Sequence, residues 1–247
     1  MVGLYPMGTI SDDDMKKVIK ESKKSFNESD PFPIADVLDS PNFEDLVRIY
    51  SKITNLSLSS GIYPEYEKNG IVRPYYKGEG DPNTFKPYRP VTNIPFLGKV
   101  IECTVNSQLT EHLESVSAVS ENQSAYRRNH STESVVCAVV DDLLGVMDGG
   151  GTFLLLLLDL SAAFDMVHHP ILLEDLRTMG VEGVVLDWFE SYLSSRTYNV
   201  VIENKMSIRK DISRGVPQRS VLGPVLINHF VADSVFQLPP RVFRRRL

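Results

Sequence analysis

The sequence predicts a mixed α+β chain. Apolar residues recur at helical spacing in several separate stretches. Short strand-like runs stand between them without the regular strand–helix alternation of a parallel α/β fold. Composition agrees: of 247 residues, 42% are hydrophobic and 23% charged, which is ordinary globular usage. A chain this long removes roughly 70% or more of its unfolded surface from water, so a core is possible without staples. Two cysteines exclude a disulfide scaffold and an all-cysteine zinc site. No apolar run approaches ~20 residues, so no ordinary membrane-spanning helix is expected. The N-terminus has neither a basic flank nor an apolar signal core, so the expected setting is intracellular, cytoplasm or nucleus, and not secreted.

Residues 1–35 are polar, with a helix-like stretch near 13–26 followed by Pro31 and Pro33. Over 43–59 the spacing of Leu46, Ile49, Ile53 and Leu56 predicts an amphipathic helix that Gly61 and Pro64 end. Residues 71–76 read as a strand and 78–90 as a loop rich in Gly, Pro and Asn. Residues 99–114 place Ile101, Val105, Leu109 and Leu113 on one helix face. Ser131 or His130 caps a second helix running to about Met147, with Glu133 in its first turn, before three glycines at 149–151. Cys103 and Cys137 fall on these two helices. Residues 153–160 fit strand or helix by pattern. Their short length, the glycines before them and the polar break after them favour a buried strand. Pro170 opens a helix that Gly180 closes. Residues 184–193 form another, with Trp188, Phe189 and Tyr192 on its apolar face. Residues 198–203 and 206–212 read as a hairpin around Asn204 and Lys205.

Twenty-six bases against thirty-two acids leave a net charge of −6, which argues mildly against nucleic-acid binding. The distribution softens that objection. Residues 1–50 carry ten acids against six bases, whereas 71–100 carry five bases (Arg73, Lys77, Lys86, Arg89, Lys99) against Glu79 and Asp81. Phosphate responds to the local field. A solvated loop face is the plainer explanation of that excess, as a frayed terminus is of Arg244–Arg246.

Three segments carry candidate chemistry. In LDLSAAFD, residues 158–165, Asp159 directly follows the apolar run. A carboxylate at such a sheet edge can hold a hard divalent cation such as magnesium, with the Leu160 carbonyl as a further oxygen; the same aspartate also suits a turn or helix cap. Asp165 is expected to pair or cap locally. In residues 213–224, SRGVPQRSVLGP, Gly and Pro place a loop in which Gln218 offers a donor and an acceptor. In residues 123–133, QSAYRRNHSTE, two arginines precede a helix N-terminus, where phosphate binds well, or they decorate a surface loop.

Together, and in one order, these segments resemble the reverse transcriptase domain of non-LTR (LINE-type) retrotransposons. That family reads approximately YRPISNLPFLSKVLE, QSGFRxGHSTET, LLDLSAAFDTVDH and SGVPQGSVLGP. Here the matching stretches are YRPVTNIPFLGKVIE (88–102), QSAYRRNHSTES (123–134), LLDLSAAFDMVHH (157–169) and RGVPQRSVLGP (214–224). NLSLSSG (55–61), GIVRPYYK (70–77) and WFESYL (188–193) also look like it, so the similarity runs from about 50 to 226.

The resemblance implies a right-hand polymerase with fingers and palm, here with an incomplete palm and no thumb. It divides the chain into a polar, partly disordered lead-in (1–45), a fingers/palm unit (46–226) and a divergent tail (227–247). The implied reaction is attack of a DNA primer 3′-hydroxyl on the α-phosphate of a deoxynucleoside triphosphate, opposite an RNA template, with magnesium ions stabilising the attacking and leaving oxygens. Asp159 is then the catalytic, metal-ligating aspartate, with Leu160 beside it. Phe164 is the gate under the sugar, and its bulk disfavours a ribose 2′-hydroxyl. Gln218 lines the nucleotide pocket. Arg89 and Arg127, and more weakly Lys77, touch phosphate. No membrane is implied as a partner.

The match breaks in places. The family's second catalytic motif, Tyr/Phe-Ala-Asp-Asp, is not found in the sequence; FVADS at 230–234 is its nearest echo. The chain by itself is therefore expected to be inactive. Arg219 stands where the family has glycine, Ala125 replaces another glycine, and His168 replaces an aspartate, leaving a histidine pair whose adjacent side chains diverge, which disfavours a metal site without excluding one. Two alternatives stand beside the polymerase: a catalytically dead relic that still binds nucleic acid, and a protein-interaction module, which only the acidic total favours.

Overall fold

The computed structural model describes residues 7–22, 27, 30, 34–118, 123–127, 129–157, 163–203 and 205–228. Helix α1 (Asp12–Glu21) begins where the Ser11 hydroxyl accepts the Asp14 N–H at 3.1 Å, and three aspartates in its first turn complement the helix dipole. A short α2 (Ile34–Leu38) leads to α3 (Phe43–Ser60), which ends at Gly61 with φ +68°. The predicted helix is present, but the face is corrected. Ile49 and Leu56 are 51% and 68% exposed, while Val47, Ser51, Thr54, Ser57 and Leu58 are buried. Two of the three hydroxyls in that buried stripe are hydrogen-bonded: Ser51 Oγ donates to the Val47 carbonyl, and Ser57 Oγ accepts from Trp188 Nε1 at 2.9 Å, whereas Thr54 Oγ1 is buried with no hydrogen-bond partner among the described residues.

After a 3₁₀ turn, β1 (Asn69–Tyr76) pairs antiparallel with β2 (Tyr88–Asn93). Strand β2 takes its first three residues from the predicted loop 78–90. It sits at a sheet edge, where Pro90 opposite Pro74 removes ladder donors at little cost. Helix α4 (Phe96–Ser115) follows, then α5 (Thr132–Asp148), whose N-terminus is closed by reciprocal bonds between Ser131 and Ser134. Helices α6 (Ala163–Met166), α7 (His169–Thr178) and α8 (Val184–Leu193) lead to β3 (Arg196–Ile202), β4 (Lys205–Met206) and β5 (Lys210–Ile212). The predicted hairpin is present, with β3 pairing antiparallel to both β4 and β5. Strand β3 also runs parallel to β1, giving the order β2-β1-β3-β4, and the mixed α+β class stands.

Helix α4 joins the two cores. Phe96 and Val100 pack with Met15, Ile19, Val37 and Val47. The predicted stripe Ile101, Val105, Leu109 and Leu113 packs with α7, α8 and residues 216–227. Trp188 is fully buried there, stacked on Tyr192 at 5.5 Å and met edge-on by Tyr63.

The predicted buried strand is corrected over residues 153–157. They form no regular secondary structure and are exposed, Leu154 at 94% and Leu157 at 82%. Helix α5 before them has no buried residue. A strand is buried only when neighbours complete its ladder; among the described residues none pairs with this segment. No helix of the described residues is long and apolar enough to cross a membrane.

Candidate functional site

The loop that carries Gln218 follows β5 directly and folds onto the segment 164–169. The Val216 N–H donates to the Phe164 carbonyl at 2.8 Å, and the Gly215 N–H to the Val167 carbonyl at 2.7 Å. His169 Nε2 bonds the Gly215 carbonyl at 2.7 Å. Gln218 Nε2 donates to both Asp165 carboxylate oxygens at 3.2 Å. Asp165 thus pairs across the fold and not locally. Two of the sequence-predicted site residues, Phe164 and Gln218, are brought together by this clasp.

Glycine is required in the clasp. Gly215 has φ +86°, and a Cβ there would stand 2.7 Å from the Phe164 carbonyl oxygen and 2.8 Å from Asp165 Cα. Arg219 occupies the same left-handed region at φ +70° without being glycine. That conformation costs an L-residue roughly 1–2 kcal/mol. Arg219→Gly is therefore expected to raise stability by about 0.5–1 kcal/mol after the greater freedom of glycine in the unfolded chain is subtracted. Arg219→Ala, which keeps the strain, is expected to gain nothing; urea midpoints of the three proteins check this.

On the far side of the loop the carboxylate of Glu102, fully buried on α4, accepts the Val221 N–H at 2.7 Å and the Leu222 N–H at 3.2 Å. Its other oxygen accepts the Tyr192 hydroxyl at 3.1 Å. Burial drives the Glu102 carboxyl above its ordinary range, opposed by the Arg196 charge and by these donors. The Arg196 guanidinium lies over the rings of Tyr192 (4.7 Å) and Tyr63 (5.5 Å). Sequence reasoning missed Glu102, although its spacing to Val105 and Leu109 puts a carboxylate on an apolar stripe. It also weighed His169 only as a metal ligand.

The basic residues sit elsewhere. Arg89 on β2 is exposed and opposes Tyr75. Lys77, just past β1, is exposed with its Nζ 3.5 Å from the Lys86 carbonyl. Both therefore belong to one hairpin. Arg127 lies in the loop before α5, beside Thr110 and Glu114 of α4, in a region where Asn228 Nδ2 donates to the Ala125 carbonyl. The glycine-for-Ala125 exchange is mild, since the positive φ there falls on Tyr126, at +57°. Asp159, Leu160, the 230–234 segment and Arg244–Arg246 lie outside the described residues. Among the described residues no three His, Cys, Asp or Glu side chains gather as a metal site.

The chain matches the reverse transcriptase (RNA-dependent DNA polymerase) family over residues 77–244. It is 29% identical over 211 residues to the RNA-directed DNA polymerase from mobile element jockey of Drosophila melanogaster, covering 84% of this chain and 23% of that protein. To the jockey polymerase of Drosophila funebris it is 30% identical over 185 residues, 73% of this chain and 20% of that one. With the R2 retrotransposable element polyprotein of Popillia japonica it shares 32% identity over 89 residues, 36% of this chain and 15% of that one. Among solved structures, it matches a partial Cas6-RT-Cas1–Cas2 complex at 18% identity and TM-score 0.46, over 90% of this chain and 34% of that one. The chain belongs to the reverse transcriptase family. Within it, the relatives place it with the polymerases of non-LTR retrotransposons, the group its motifs resemble. It spans about a fifth of the length of these curated relatives.

Proposed function

We propose that this chain is the fingers and palm portion, residues 46–226, of an RNA-directed DNA polymerase that adds deoxynucleotides to a DNA primer on an RNA template. The observation that carries the reading is the clasp: two distant motifs converge, with the Val216 N–H on the Phe164 carbonyl and the Gln218 amide on the carboxylate of the adjacent Asp165. Phe164 is half-buried against the core, which holds its ring as a rigid floor for the sugar. Such bulk excludes a 2′-hydroxyl. The Gln218 carboxamide, with its Nε2 occupied by Asp165, keeps Oε1 to accept a hydrogen bond from base or sugar. Lys77 and Arg89 on their hairpin, and Arg127 before α5, supply positive charge for triphosphate and template phosphates.

The family's metal chemistry fits the residue types available. The Asp159 carboxylate and the Leu160 carbonyl are hard oxygen donors, the kind magnesium prefers. Bound there, the ion would supply charge that stabilises the attacking and leaving oxygens.

Primer extension on an RNA template with magnesium and deoxynucleotides tests the reading. The chain by itself, in which the family's second aspartate pair is not found, is expected to extend weakly or not at all, and any incorporation it does show is expected to fall by about 100-fold or more in Asp159→Ala. Equal incorporation by the two proteins would defeat the enzyme reading. A second reading, a chain that holds primer–template without extending it, is favoured by Arg219, a strained cation next to Gln218 in a loop that must approach substrate. Salt-sensitive binding with no extension by either protein would select it.

A further inference from the structure

We propose that Glu102 is a positioning residue: from inside the core it fixes the loop that presents Gln218. The loop is suspended between two anchors. Its leading end is tied to residues 164–169 through Gly215 and Val216. Its trailing end is tied to Glu102 Oε2 through the N–H groups of Val221 and Leu222, at the start of the helical turn 223–228. Gln218 lies midway between these ties.

Three features make Glu102 a fixed post. Helix α4 spans both cores, so its backbone is held along its length. The second carboxylate oxygen is held by the Tyr192 hydroxyl, and Tyr192 is itself fully buried and stacked on Trp188. Arg196, bonded through Nη1 to the Tyr192 carbonyl at 3.0 Å, supplies positive charge nearby. A buried carboxylate is costly unless it is paired and hydrogen-bonded. An apolar residue would pack as well on this stripe, but it would leave two backbone N–H groups without an acceptor. The plainer explanation is that Leu222 and Leu226, which are buried, hold the loop by packing alone. The two explanations differ in what the side chain must do: reach, or merely fill space and carry charge. That the positioned loop serves nucleotide binding rests on the proposed function; the anchoring itself does not.

Amide hydrogen exchange on two variants of the whole chain separates them. Glu102→Gln keeps the reach and an acceptor oxygen but loses the charge. Glu102→Asp keeps the charge but is one methylene too short to reach Val221 and Leu222 from the same backbone position. Anchoring by reach predicts that Glu102→Asp speeds exchange of the Val216, Ser220, Val221 and Leu222 amides by about tenfold or more, whereas Glu102→Gln stays within about threefold of the parent. Val105 and Leu109 amides in α4 are expected to stay within about threefold in both variants. The proposal is overturned by the reverse order, by equal release in both variants, by no change in either, or by faster exchange that extends equally through α4. Primer extension by the parent chain decides the proposed function separately, so the exchange pattern decides the anchor even in a chain that never extends a primer.

Discussion

Gly215→Ala is expected to destabilise the chain by about 3 kcal/mol or more and to open the clasp. Two effects add. At φ +86° any L-residue is strained, and the nearest atoms to the new methyl are backbone, the Phe164 carbonyl oxygen at 2.7 Å and Asp165 Cα at 2.8 Å. Backbone cannot swing aside as a side chain does. Relief therefore has to come from moving the loop, which stretches the Gly215–Val167 and His169–Gly215 bonds and carries Gln218 away from Asp165. Gly78→Ala is the control. Gly78 has φ +90°, yet nothing lies within 4 Å of the added methyl. It bears the strain without the collision and is expected to cost about 1 kcal/mol. Urea unfolding of both variants measures the difference; equal losses would remove the close approach as the reason for glycine at 215.

Glu67→Gln is expected to stabilise the chain above neutral pH and to do little in acid. Glu67 is buried against the start of α4, where its Oε2 accepts the Gly98 N–H at 2.9 Å. Its carboxyl is pushed from 4.5 up to about 7, first by burial, and further by the neighbouring Asp30; the Gly98 N–H and the Arg196 charge pull the other way. The native state therefore holds a proton that the unfolded state has already released. Stability from this group is complete below about pH 4.5, falls as pH rises, and is lost by about pH 7, a swing of about 3 kcal/mol. Glutamine keeps the acceptor for Gly98 and cannot ionise. Unfolding free energies at pH 4.5 and pH 8 should converge in acid and separate in base, the variant being the more stable. Parallel profiles for the two proteins would contradict this.

How much was legible in the sequence varies by element, for physical reasons. In α4 the four-residue apolar repeat is unbroken, and all four residues of the predicted stripe are buried. Helix α8 read equally well because three aromatics share its face. In α3 the predicted stripe was only partly right: Leu46 packs against a core, but Ile49 and Leu56 face solvent, and the buried stripe includes Ser51, Thr54 and Ser57, which apolar periodicity does not mark. Residues 153–157 read as a buried strand because their leucines demand cover, but burial depends on neighbours, and none is seen among the described residues. In the site, Phe164 and Gln218 were readable from motif order. Their linkage through Asp165, and the ties of His169 and Glu102, span tens of residues and leave no local periodicity.

The central claim is that the Phe164–Gln218 clasp receives a deoxynucleotide. The direct measurement is the affinity of a deoxynucleoside triphosphate and of its ribose counterpart for the chain bound to RNA template and chain-terminated DNA primer with magnesium, in the parent and in Phe164→Val. If the ring is the floor under the sugar, the parent binds the deoxy form about tenfold or more tightly, and the valine variant narrows that gap to about threefold or less. A parent that treats the two sugars alike, or a variant that discriminates as well as the parent, would contradict the claim.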